Sequence, residues 1–257
     1  MSNLLFLSYW NWFNRWNSII WLVLTQTDDV KTVVLKKNIE ENQAMEIVDQ
    51  KKTNPFKSLL SRPKKEDVHV HSIKLNYECI LMVSGKYLAD YFRKTSHSIS
   101  VDSNIREVVL GDGIFPIRSK SALQKAFVGK RGKNKIDLKL EEHVFVEEEG
   151  ELTFDHHGND LKFPFKINAK TTENYPKRIL EKNAQNTKKP EITYDDAIKK
   201  LQLELKKPLE ANVRHLNDEF ILREITEIYV PIFEARLIGP KKKVGIIRID
   251  AVRKKVL

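Results

Sequence analysis

A two-residue alternation of apolar and polar positions dominates the chain between Val68 and Ile167, and that period commits the region to sheet. Val68–Val83 alternates and then turns continuously apolar at Cys79–Val83. Ser84-Gly85 reads as a turn, and Tyr87–Phe92 resumes the pattern, which predicts an antiparallel hairpin. Further strands are predicted at Ser98–Val101, Arg106–Leu110, Asp137–Val146, Glu151–Phe154 and Leu161–Ile167, with a short helix at Ser119–Val128 between them. Pro164 marks the last strand as an edge or a bulge, because proline donates no ladder hydrogen bond.

On either side of this region the pattern mixes helix and strand. Val30–Lys36 is β-branched, Asn38 is placed to cap a helix running to about Asp49, and Asn54-Pro55 opens a turn or short helix through Leu60. Residues 168–192 are polar and rich in Lys, Asn and Thr, with a helical core at Pro176–Asn183. Thr193 followed by Asp196 resembles a capping box. Tyr194, Ala197, Ile198, Leu201 and Leu205 keep one helical face up to Pro208. Phe220–Ile238 then reads as strand, Gly239-Pro240 and three lysines as a turn, and Val244–Val252 as the returning strand. The expected class is α+β: mainly antiparallel sheets with a few short helices, plus a C-terminal helix–β-hairpin unit. The expected organisation is a Trp-rich amphipathic segment at 1–26, a β-rich α+β domain at 27–168, a polar linker at 169–192 and the helix–hairpin module at 193–257.

That last module resembles the PepSY type, in which a helix packs on an antiparallel hairpin whose final strand ends in a V-D-x-x-T-G-like turn. The turn here reads Ile249-Asp250-Ala251-Val252-Arg253-Lys254 and lacks the Thr-Gly pair. The resemblance covers a quarter of the chain and implies an interaction or regulatory module.

Composition narrows the function classes. Cys79 is the only cysteine, so no intrachain disulfide can form, and a cytoplasmic, reducing setting is expected. The net charge of +10 is clustered. Residues 51–65 carry six Lys/Arg and no acid, 117–139 carry eight against Asp137, and 236–257 carry eight against Asp250. Such clusters are either solvated surface or a footprint for an anionic partner, non-specific nucleic acid or an anionic membrane surface. The excess is mostly lysine, a point charge that suits diffuse attraction better than bidentate base reading. Lys130, Arg131 and Lys133, in a Gly-flanked loop, and Lys241, Lys242 and Lys243, in the C-terminal turn, are the candidate contacts. The loop lacks the strand and helix frame of a nucleotide-binding P-loop.

All four tryptophans, Trp10, Trp12, Trp16 and Trp21, fall in the first 21 residues. Residues 4–24 are long enough to span a bilayer, yet Ser8, Asn11, Asn14, Arg15 and Ser18 gather on one side of a helix, which suits an interfacial helix better. The four tryptophans would then be the membrane contacts. A helix packed on the domain and an extension upstream of the natural start are the alternatives.

Asp155-His156-His157 could ligate a divalent metal, and the triplet resembles the name-giving one of the DHH phosphoesterases. Their Asp-rich amino-terminal motif is absent, and DHHGND also reads as a polar hairpin turn with Gly158-Asn159 supplying positive φ. His69 and His71 share one strand face, a spacing used by zinc sites and equally by the solvent side of a half-buried strand. No G-x-S-x-G, H-E-x-x-H or CxxC motif is present. The expectation is an intracellular, non-enzymatic binding or adaptor protein with basic loops for an anionic or protein partner, without a cofactor and with no small-molecule substrate identified. A peripheral membrane protein anchored by residues 4–24, and a metal-dependent hydrolase using Asp155, His156 and His157, are the alternatives.

Overall fold

The computed structural model describes residues 30–58, 63–102, 104–117, 134–206 and 213–257. In chain order these form β1 (Lys31–Val34), α1 (Glu41–Lys51), β2 (His69–Val101), β3 (Glu107–Leu110), β4 (Gly113–Pro116) and β5 (Asn134–Phe154). They continue as α2 (Pro176–Lys182), β6 (Thr187–Lys188), α3 (Tyr194–Leu205), β7 (Val213–Ile238), β8 (Val244–Asp250) and β9 (Lys255–Val256). The main sheet has the order β5-β2-β7-β8-β9, with β1 parallel to β7 and β6 parallel to β2. β3 and β4 pair only with each other, antiparallel. The class is α+β, as the alternation predicts. Among the described residues no helix is long and apolar enough to cross a membrane.

Two compact units divide these elements. One takes the described residues up to Lys86 with Glu149–Leu205 and Ile221–Leu257; the other takes Tyr87–Glu148 with Lys206–Phe220. In the first unit β7 and β8 form an antiparallel hairpin, with Ile232 opposite Asp250 and Ile238 opposite Val244. The inward residues Phe233, Ala235, Leu237, Ile247 and Ile249 bury against Ala44 and Val48 of α1 and against Val68. Ala44 and Val48 are four apart, so one helical stripe reaches the sheet, as amphipathic packing requires. Leu201 and Leu205 of α3 cover β5 instead: a Cβ on Gly150 would stand 2.8 Å from Leu205 Cδ2. Residues 169–192, which read as a polar linker, carry two docked elements. Ile179 and Leu180 of α2 pack on Val34, Tyr77, Cys79 and Tyr229, and β6 aligns Thr187 with Tyr77 and Lys188 with Glu78.

In the second unit, partners on β5 recede as β2 advances. Asp90 Oδ1 meets His143 Nε2 at 2.5 Å and Ser98 Oγ donates to Asp137 Oδ1 at 2.7 Å, so the two strands run antiparallel. Tyr87 donates to Asp218 Oδ2 at 2.9 Å, and Lys206 holds the same carboxylate at 2.6 Å. Burial first, then the hydrogen bond to that carboxylate, pushes the Tyr87 phenol up to about 12.

Three local expectations are corrected. Ser84-Gly85 is no turn: β2 continues through it as one strand of 33 residues. Arg223 of β7 pairs with Glu149 of β5, the strands on either side of β2, with Nη1 and Oε2 at 2.8 Å. Leu161–Ile167 is no strand either. Leu161, Phe163 and Phe165 do alternate inward, onto Val33, Leu35, Ile80, Ile228 and Ile232, but the ladder stops after the Phe154–Asp160 bridge. The α1 cap is Glu40, whose backbone N–H donates to Gln43 Oε1 at 3.2 Å. Asn38 instead donates its side-chain amide to the Val252 carbonyl at 2.7 Å and its backbone N–H to Ala251 at 2.8 Å. The predicted helix at Ser119–Val128 and the segment 1–26 lie outside the described residues.

Candidate functional site

The DHH triplet follows β5, and its three side chains have separate polar partners. The Asp155 carboxylate is occupied by its own turn: Oδ1 accepts the backbone N–H groups of His157 and Asn159, each at 2.9 Å, and Gly158 turns the chain at φ +83. Burial raises the Asp155 carboxyl, but these donors outweigh it and hold the group below its ordinary range. His156 points inward and is 8% exposed, with Nδ1 3.6 Å from Glu78 Oε2. His157 points outward to Glu191, Nδ1 to Oε1 3.2 Å. The two imidazoles are tilted by 40° with centroids 3.8 Å apart. Among the described residues no group of three His, Cys, Asp or Glu side chains is placed to hold a metal ion. His69 and His71 are exposed on β2, with Val68 buried and Val70 half-buried behind them.

His157, Gly158, Glu191 and Ile192 form one wall of a groove of about 460 Å³, and Lys199 and Lys200 of α3 line it as well. Lys200 sits 4.9 Å over the Phe154 ring, so its charge is partly satisfied by the aromatic face. His156, next in sequence to the groove residue His157, belongs to a buried charge cluster that the sequence reading missed. Glu78, 5% exposed, accepts from Lys188 Nζ at 2.8 Å and from Arg248 Nη2. Burial pushes its carboxyl up, yet the Lys188 hydrogen bond and the charges of Arg248, Lys188 and His156 outweigh that and hold it below the ordinary range. Burial lowers the His156 imidazole despite the facing Glu78. The signal available was Glu78 itself, a lone acid within the otherwise apolar run Tyr77–Val83.

The second candidate is the lysine turn between β7 and β8. Pro240–Lys242 form one 3₁₀ turn, closed by Gly239 N–H donating to the Lys243 carbonyl at 2.8 Å. Lys241 and Lys242 both adopt the left-handed region, φ 57 and 59, at a cost of roughly 1–2 kcal/mol each for residues with a Cβ. Lys241, Lys242 and Lys243 are exposed, and none forms an ion pair among the described residues. The ring of Phe56 lies on the base of this turn. A Cβ on either Gly239 or Gly245 would stand 2.7 Å from it. Phe56 is followed by Lys57 and preceded by Lys51 and Lys52, so two basic stretches separated by some 180 residues of sequence adjoin in the fold. Of the other sequence candidates, Lys130, Arg131, Lys133 and the four tryptophans lie outside the described residues.

No protein-family model matches this chain, and neither a curated protein nor a solved structure matches it.

Proposed function

We propose that this chain is a non-enzymatic binding module for a polyanionic partner, with Lys241, Lys242, Lys243 and the adjoining Lys57 as the contact surface in its first unit. One observation carries the reading: the seat of Phe56 on Gly239 and Gly245, which sets the basic stretch after α1 beside the lysine turn. Clustered lysines attract phosphate- or sulfate-rich surfaces through counterion release, and they leave sequence unread. The strained turn supports the same reading, because two exposed lysines are held at positive φ within one short turn.

Heparin and a mixed-sequence oligonucleotide are the probes. Replacing Lys241, Lys242 and Lys243 by Gln should weaken binding at least tenfold near physiological salt and reduce the slope of log affinity against log salt by about two to three. Anisotropy titrations at several salt concentrations check this. An unchanged slope would overturn the assignment of the turn.

A further inference from the structure

Beside the lysine turn lies an aliphatic patch. In the β7–β8 hairpin Ile238 pairs with Val244 and Arg236 with Ile246. Ala235, Leu237 and Ile247 alternate with them and bury against α1, so Arg236, Ile238, Val244 and Ile246 share the outer face. A half-buried sheet normally turns polar residues to that side, yet Val244 is 71% exposed, Ile246 51% and Ile238 37%. They stand on the two strands that Lys241, Lys242 and Lys243 join, all within the first unit. Residues 235–249 hold Arg236, those three lysines and Arg248, and no Asp or Glu. Arg248 is committed to Glu78, and Arg236 Nε lies 3.9 Å from Glu234 Oε1, which leaves the lysines as the charge bordering the aliphatic patch.

Aliphatic side chains gain nothing from phosphate and do not stack on bases, so a nucleic acid would use the lysines and leave the patch in water. Protein interfaces favour Tyr, Trp and Arg anchors in pockets and are poor in lysine, the reverse of this hairpin end. Hydrocarbon rewards valine and isoleucine directly, and anionic headgroups reward lysines at their margin. From this adjacency we infer that the polyanionic partner of the lysine turn is an anionic phospholipid bilayer, and that Ile238, Val244 and Ile246 enter its interface. The inference rests on the anionic-partner reading and names the partner at that same site.

The full chain is incubated with phosphatidylcholine vesicles and with mixed phosphatidylcholine–phosphatidylserine vesicles, then sedimented. Binding should require phosphatidylserine, and Val244→Thr/Ile246→Thr, which keeps both positions β-branched, should lower it about tenfold while leaving heparin binding unchanged. A circular-dichroism melt establishes that this variant folds. If it does not, Val244→Cys carrying an environment-sensitive fluorophore replaces it, since Cys79 is buried and its thiol is pushed up by burial, so label goes to residue 244. A blue shift on phosphatidylserine vesicles supports insertion. Equal binding to both vesicles, binding to neither, unchanged sedimentation of the folded double variant, or no spectral shift overturns it. Loss of heparin binding in the lysine-turn variant together with any of those outcomes leaves the polyanion reading standing and removes only the lipid. Heparin binding untouched by the lysine substitutions removes both.

Discussion

Glu78 is a residue whose substitution should cost the first unit heavily. It neutralises Lys188 and Arg248 from a buried position, so Glu78→Gln leaves two cations facing a neutral amide. Breaking one side of a buried charge cluster costs about 3–5 kcal/mol, to be read as a lowered urea midpoint at unchanged slope. Its neighbour His156 adds a pH dependence. Its folded value lies below the ordinary imidazole value of 6.5, so the unfolded chain takes up the proton first. The stability His156 contributes is therefore complete above about pH 6.5 and declines as pH falls from there through the folded value. Glu78, also lowered in the fold, adds a second decline beginning near 4.5. Urea titrations at pH 8, 5.5 and 4 on wild type and His156→Gln separate the two: the loss between pH 8 and 5.5 should shrink in the variant. An identical loss in both proteins would refute the assignment to His156.

At the scale of elements, the seat of Phe56 on the β7–β8 turn makes a quantitative test. Gly245→Ala places a methyl 2.7 Å from the ring and 3.0 Å from Pro55 Cβ, an overpacking that typically costs about 1–3 kcal/mol. In a Phe56→Ala background the same substitution should be nearly neutral, and a double-mutant cycle of urea midpoints measures that coupling. This contact also marks the limit of what the chain's pattern reveals. Strand character at β1, β3 and β8, the helices at Glu41–Lys51, Pro176–Lys182 and Tyr194–Leu205, and the exposed setting of His69 and His71 are readable from local period, whereas β4 and the unbroken lengths of β2 and β5 are not. The Thr193–Asp196 cap is present too, with Asp196 N–H donating to Thr193 Oγ1 at 3.1 Å. What period cannot carry is which distant residue fills a gap. Phe56 against Gly245, Arg223 across to Glu149, and Arg248 onto Glu78 are set by sheet order rather than by neighbours in sequence. The DHH triplet shows the same limit, since three adjacent residues that suggest one site take their polar partners from a turn, a buried cluster and a groove wall.

For the molecule as a whole, the governing object is β2. From Leu81 to Tyr91 its odd-numbered residues are buried and its even-numbered ones half-buried, and it is hydrogen-bonded on both edges, to β5 and to β7. A one-residue insertion after Ser84 would send Tyr87, Ala89 and Tyr91 to the opposite face, and a strand paired on both sides has little room to absorb it as a bulge. A two-residue insertion keeps the faces and shifts only the cross-strand partners. Thermal melts should show the single insertion without a cooperative transition and the double insertion with one at lower temperature. Equal behaviour would show that facing does not control this strand. In a lineage of such proteins, then, the length of this strand would change by pairs of codons, so that comparing gene lengths across the strand would record the parity of a fold.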